Sequence, residues 1–336
     1  MSRFRPFGFA LALICGTGPA MADLKQAVDA VMLPGFATFA KATAALETQT
    51  ESHFTETGGQ CDPTTLRPAF NKAFDAWMAL SWLHFGPSEE GGTALAIRFW
   101  PDPKGLGAKA QRGLLLGDPA SLEPELFAKQ SVAARGLTGL ERLLYPGEPP
   151  GADPCPLLRA TVKDLARLAS VLDAGWTGDQ GFAQLLLSAG SDGNTRFLTR
   201  TEAMQAVFTQ LMGGLEFIAD QRLGRPLGEE DKPRPERAEA RASGRATRNF
   251  LLELQAIRRL TAALEPDAAG TIAAMDRAIV AAGKLDEPQL AGVSDPERRE
   301  KILEVQRLVR SARTIALSEM APVLGVGLGF NSQDGD

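Results

Sequence analysis

The sequence predicts an all-α protein built as two helical bundles, and three observations carry that reading. Apolar residues recur at helical spacing along most of the chain, with no convincing run of period-2 alternation. The helical stretches are long and joined by short turns, a pattern that favours bundles. The chain has 336 residues; about 310 remain once a leader is removed, enough for two domains or one duplicated domain. No short period repeats, so a solenoid is not expected.

Residues 1–22 read as a secretory leader. Arg3 and Arg5 make a basic start, residues 7–14 an apolar stretch, and Ala20-Met21-Ala22 a small-x-small cleavage site. The apolar stretch is too short to cross a bilayer. Cys15, preceded by Leu13-Ile14, makes a poor lipoprotein box. The expected location is the periplasm, with no transmembrane segment after cleavage.

The first bundle is expected over 23–190. Its opening helix, 23–47, carries Val28, Val31, Met32, Phe36, Phe39, Ala42 and Leu46 on one face, with a kink expected at Pro34-Gly35. Residues 64–83 place Leu66, Phe70, Phe74, Trp77 and Met78 together. A Gly- and Pro-rich connection, 85–92, leads to shorter helices at 106–116 and 124–130. A further helix, 132–144, is stopped by Pro146-Gly147.

A helix at 157–172 and a Gly-rich loop at 188–195 lead to the boundary, and 191–336 forms the second bundle. Helices are expected at 202–223, 236–264 and 267–282. The last and longest starts at Asp295-Pro296, an N-cap followed by proline at the first helical position. It continues through Ile302, Val305, Leu308, Val309, Ala312 and Ile315 to Pro322.

The net charge of -5 and isoelectric point near 5.4 argue against a nucleic-acid partner. Beyond the leader only Cys61 and Cys155 remain, and in an oxidising compartment they are expected to form a disulfide. His53 and His84 are the only histidines, which limits every histidine-based mechanism.

Chemistry concentrates on Arg135-Gly136-Leu137-Thr138-Gly139-Leu140-Glu141-Arg142-Leu143-Leu144-Tyr145. Leu137, Leu140 and Leu144 should face a core, with Thr138, Glu141 and Tyr145 in an adjacent stripe. Gly136 and Gly139 each cost roughly 1 kcal/mol of helix propensity relative to alanine, so a backbone or ligand is expected to approach closely. Other candidates compete. His53 and Glu56 form a literal His-x-x-Glu outside any glycine context, and His84 ends an aromatic helix. Glu216 and Asp220 sit at i, i+4, a spacing that can hold a hard cation. Arg237, Arg241, Arg245 and Arg248 form a basic stripe that could neutralise them or bind an anion.

These segments together resemble the imelysin family. The match is carried by Trp77-Met78-Ala79-Leu80 with Phe85-Gly86-Pro87, by Arg98-Phe99-Trp100-Pro101-Asp102, and by the glycine-lined helix. Gly214-Leu215-Glu216-Phe217 with Asp220-Gln221-Arg222, and Leu328-Gly329-Phe330-Asn331 with Asp334-Gly335-Asp336, complete it. The resemblance implies two related bundles, a role in iron uptake, and a shared site where the halves meet. The family helix reads Gly-x-His-x-x-Glu; here Gly136 and Glu141 match while Thr138 replaces the histidine. A threonine hydroxyl is a poor transition-metal ligand.

The expected function is a periplasmic protein of iron uptake that binds a small ligand, iron complex or partner in a cleft between the bundles. Gly136, Thr138, Glu141, Tyr145, Trp77 and Arg98 are the expected ligand-binding residues. Iron or another divalent cation would have Glu141, His84, Glu216 and Asp220 as candidate ligands. A periplasmic or outer-membrane transport partner fits the same reading. The competing reading is a metallopeptidase using Glu141 as general base, against which stand two histidines and no His-Glu-x-x-His.

Overall fold

The computed structural model describes residues 23–147 and 151–327, which are α-helical throughout apart from turns. The residues read as a leader, 1–22, and those at 148–150 and 328–336 lie outside the described residues. Among the described residues no strand forms beyond an isolated bridge between Glu229 and Lys232. No described helix is long and apolar enough to cross a membrane.

Asp23 caps the first helical run by accepting from the Gln26 N–H at 2.9 Å. The run passes from Leu24–Ala27 through a π turn, Val28–Met32, into α1, Leu33–Glu56. Pro34 has no N–H to give the ladder, and the widened turn lies just before it, where the kink was expected. The helix outlasts the expected 23–47, and its added turns bury Thr50, whose hydroxyl turns to the Leu46 carbonyl (2.8 Å), and Phe54 against the core. α2, Pro63–Met78, starts at the Asp62 cap. A short helix, α3 (Leu106–Leu115), leads to α4, Gly136–Leu144, and α5, Cys155–Trp176.

The expected disulfide between Cys61 and Cys155 is present and ties the start of α2 to the start of α5 across 94 positions. Helices α1, α2 and α5 pack together, with α4 against α2 and α5. Their centre is aromatic: Trp176 stacks on Phe36 (4.7 Å) and meets Phe85 and Phe182 edge-on.

The later helices are α6 (Arg200–Glu216), α7 (Ala246–Leu264), α8 (Ala269–Gly283) and α9 (Pro296–Leu324). Thr199 caps α6 while the Glu202 carboxylate reaches back to the Leu198 N–H. Asp295 caps α9 as expected. α9 packs on α6 and α8, and α7 on α6 and α8, and the buried residues of these four helices continue the same hydrophobic core. Asp23 donates its N–H to the Leu264 carbonyl (3.1 Å), and α7 also lies along α2, which joins the two groups.

One expectation fails in a way that shapes the site. The helix expected over 236–264 is broken: after a 3-10 turn, Pro235–Arg237, residues 238–245 form a loop, and α7 begins only at Ala246. Within the loop Ala240 has φ +47° and Gly244 φ +66°. The Ser243 hydroxyl turns to the Ala240 carbonyl, a local bond that competes with the helix.

Candidate functional site

The glycines of α4 explain its position. Gly136 has φ +64°, and a Cβ there would overlap the carbonyl oxygens of Ala96 and Ile97. The expected close backbone approach is therefore real, and it sets the course of the chain into Arg98. Leu137, Leu140 and Leu144 face the core as expected. Glu141, on the neighbouring face, is only 7% exposed.

The carboxylate of Glu141 does not open onto a cleft. Ser243, from the loop before α7, donates its backbone N–H (2.9 Å) and its hydroxyl (2.7 Å) to Glu141 Oε1. Burial pushes the Glu141 carboxyl above its ordinary range; the Ser243 bonds and the charges of Arg142 and Arg245 pull the other way. Thr138 stays partly exposed, and among the described residues no group hydrogen-bonds its hydroxyl. Surface hollows of about 570, 250 and 330 Å³ lie along α8, beside Glu287 and against α3. None of these three is lined by Thr138, Glu141 or Tyr145. Ser243 of the 238–245 loop thus sits against Glu141 Oε1, on the side where a cleft was expected.

Tyr145 lies at the same corner. The Arg67 guanidinium sits 4.4 Å from its ring centre, and Asn71 Nδ2 donates to its hydroxyl at 3.4 Å. Asn71 in turn accepts from Arg245, which also pairs with Asp75. Arg248 holds both oxygens of Asp75, donating from Nε to Oδ1 at 2.8 Å and from Nη2 to Oδ2. The basic stripe is therefore divided: two of its arginines begin α7 and neutralise Asp75, not Glu216 and Asp220.

Arg98 leads into a network that sequence reasoning missed. Its guanidinium pairs with Glu239, which also pairs with Arg222; Arg222 bonds Glu253 at 2.6 Å and Ser81 at 3.1 Å. Asn249 donates to Glu239 at 3.3 Å. Burial, chiefly, lowers the Arg98 guanidinium to about 10 and that of Arg222 to about 9. A signal did exist: Asn249 and Glu253, at i, i+4, fall on the same face as Phe250, Leu254 and Ile257.

The remaining candidates separate from Glu141. Trp77 packs in the hydrophobic core against Phe39 (5.2 Å), as a core residue and not a wall of the corner. His84 is held by its backbone N–H on Gln210 (2.6 Å), and its imidazole falls to about 4 through burial first and the charges of Arg98 and Arg222 next. A neutral ring facing two cations is a poor place for a metal ion. Glu216 pairs with Arg313 and Asp220 with Arg310, both on α9. His53 accepts from the Asp62 N–H (3.0 Å), which makes it a loop anchor. Among the described residues, the ligand atoms close enough to share an ion are those of Cys61, Asp153 and Cys155, and the two sulfurs are spent in the disulfide. The donor set around Thr138 and Glu141 thus does not fit a resident metal.

A family model described as Imelysin matches residues 32–315. An iron-regulated protein A of Synechococcus elongatus is 25% identical over 232 residues, 68% of this chain. The match spans 59% of that curated relative's length. An imelysin-like protein of Psychrobacter arcticum superimposes with a TM-score of 0.75 at 19% identity, covering 91% of this chain and 96% of that one. An iron-regulated protein A precursor of Parabacteroides distasonis gives 0.70 at 15% identity, covering 90% and 97%. Both structures speak for the fold.

Proposed function

Because the chain belongs to the imelysin family, we propose that it is a periplasmic protein of iron acquisition that binds an iron complex at the seam between its two helical groups. The observation that carries this reading is the Glu141–Ser243 contact. It puts the glycine-lined helix against the 238–245 loop, with Thr138 and Tyr145 beside it. The name of the Synechococcus relative, iron-regulated, supports the iron assignment. The leader-like residues 1–22 support the periplasm.

Peptide hydrolysis by a bound metal is disfavoured by the donor set. Thr138 supplies a hydroxyl where a ligand is needed, and among the described residues no histidine lies beside Glu141 to complete a metal site. The iron is written here as cargo.

Calorimetric titration of a ferric chelate into the purified chain and into Glu141→Gln tests the reading. Saturable binding at pH 6–7.5 that weakens at least tenfold in the variant is expected. No saturable binding of iron in any form would overturn it. So would peptidase activity lost both on chelation and in Glu141→Gln.

A further inference from the structure

Helix α8 is packed on one face and open on the other. Thr271, Ala274, Met275, Ala278 and Ala282 are buried where α8 meets α7 and α9. The opposite face presents Ala273, Arg277, Val280 and Lys284, all exposed. Their spacing, i, i+4, i+7 and i+11, sets them in one stripe about 16 Å long, or three turns. A hollow of about 570 Å³ follows this stripe, lined by Ala273, Val280 and Ala281 together with Asp276, Arg277 and Lys284. A second hollow, about 250 Å³, also reaches Lys284.

The charges along the stripe are unevenly answered. Asp276 is held by Arg258 at 3.0 Å. At the second hollow Arg298 pairs with Glu287, and Lys301 with Glu297 at 2.8 Å. Among the described residues no carboxylate pairs with Arg277 or Lys284. Between these two cations stands Val280, 56% exposed. The face therefore offers an apolar recess with an unanswered positive charge two helical turns apart on either side of its valine.

We propose that this face of α8 docks an acidic amphipathic helix of a partner protein. Its carboxylates, two turns apart, meet Arg277 and Lys284, and the apolar side chains between them enter the hollow over Val280. A recess three turns long matches the helix-in-groove mode of recognition, in which apolar anchors recur at i, i+3, i+4 and i+7. Opposite charges flanking the recess set the register and disfavour basic partners. A second copy of this chain does not fit. A two-fold contact would lay the same patch on itself and bring its unanswered cations together. An anionic bilayer fits poorly too: the chain carries a net charge of -5, and one valine in a recess buries little in a flat surface. None of these residues takes part in the Glu141–Ser243 contact, so this inference stands apart from the iron reading.

The test is fluorescence anisotropy of a labelled helical peptide with the full chain at low salt. The peptide carries two glutamates spaced as Arg277 and Lys284 are, with leucines between them on the same face. Saturable binding is expected, weakened at least about tenfold in Arg277→Glu/Lys284→Glu and in Val280→Asp. It should be unchanged in Arg307→Glu, on the exposed face of α9. Circular dichroism checks folding, and Arg277→Gln/Lys284→Gln replaces the charge reversal if that variant does not fold. The absence of saturable binding overturns the proposal, as does binding that survives these α8 substitutions. Equal binding of a peptide with its glutamates and leucines on opposite faces, or with lysines for glutamates, also overturns it. So does a dimer of the chain that sedimentation shows to be lost in Val280→Asp, which would assign the face to a second copy. Phosphatidylglycerol vesicles that bind through Arg277 and Lys284 and displace the peptide would assign it to a membrane instead.

Discussion

Ser243 bonds Glu141 twice, through its backbone N–H and its hydroxyl, across 102 positions of sequence. Glu141 is therefore part of the contact between α4 and the 238–245 loop. Its charge state and that contact are coupled.

The coupling has a sign. Burial raises the Glu141 carboxyl above 4.5, so the folded protein holds that proton more tightly than the unfolded chain. The stability this gives is fully present below 4.5 and is lost as pH rises through the raised value. A glutamine keeps an oxygen for Ser243 without the charge. Glu141→Gln should melt at or above the unmodified protein near pH 8, with the difference vanishing toward pH 4.5. Melting temperatures across that range check this; a variant less stable at pH 8 by several degrees contradicts it.

His84 behaves oppositely. Its folded value, about 4, lies below the ordinary 6.5, so its contribution is present above 6.5 and is lost as pH falls through about 4. The cost of charging it is at most about 3 kcal/mol. Urea unfolding at pH 7 and pH 4.5 should show His84→Gln losing less stability on acidification than the unmodified protein. Equal losses would mean that the imidazole is not enclosed beside Arg98 and Arg222.

Glu239 holds two buried guanidinium groups at once. Removing one member of such a set strands the rest without counter-charge, typically about 3–5 kcal/mol. Glu239→Ala should lower the denaturation midpoint by a corresponding amount and loosen the 238–245 loop. A loss below about 1 kcal/mol would place the network outside the fold's essential supports.

Much of this architecture was legible. Apolar spacing found the long helices, Asp295-Pro296 marked the start of α9, and Cys61 and Cys155 paired as expected. Gly136 and Gly139 announced a tight backbone approach. The partner of Glu141 was not legible, for a physical reason. Residues 236–264 keep a helical rhythm, and only the adjacent Ser243 and Gly244 hint that the backbone leaves it. Side-chain bonds to the Ala240 carbonyl and to Glu141 decide the outcome, and both depend on tertiary placement. The buried Arg98–Glu239–Arg222–Glu253 set was hidden similarly, since each residue alone reads as a surface charge.

The central claim is that ligand binding acts at the contact between α4 and the 238–245 loop. Amide hydrogen exchange, followed by mass spectrometry with and without ferric citrate, measures that contact directly. The account predicts altered protection at 136–145 and 238–248, including the Ser243 amide, with α8 unchanged. Saturable binding that leaves both segments unaltered, or that alters protection only elsewhere, would contradict it.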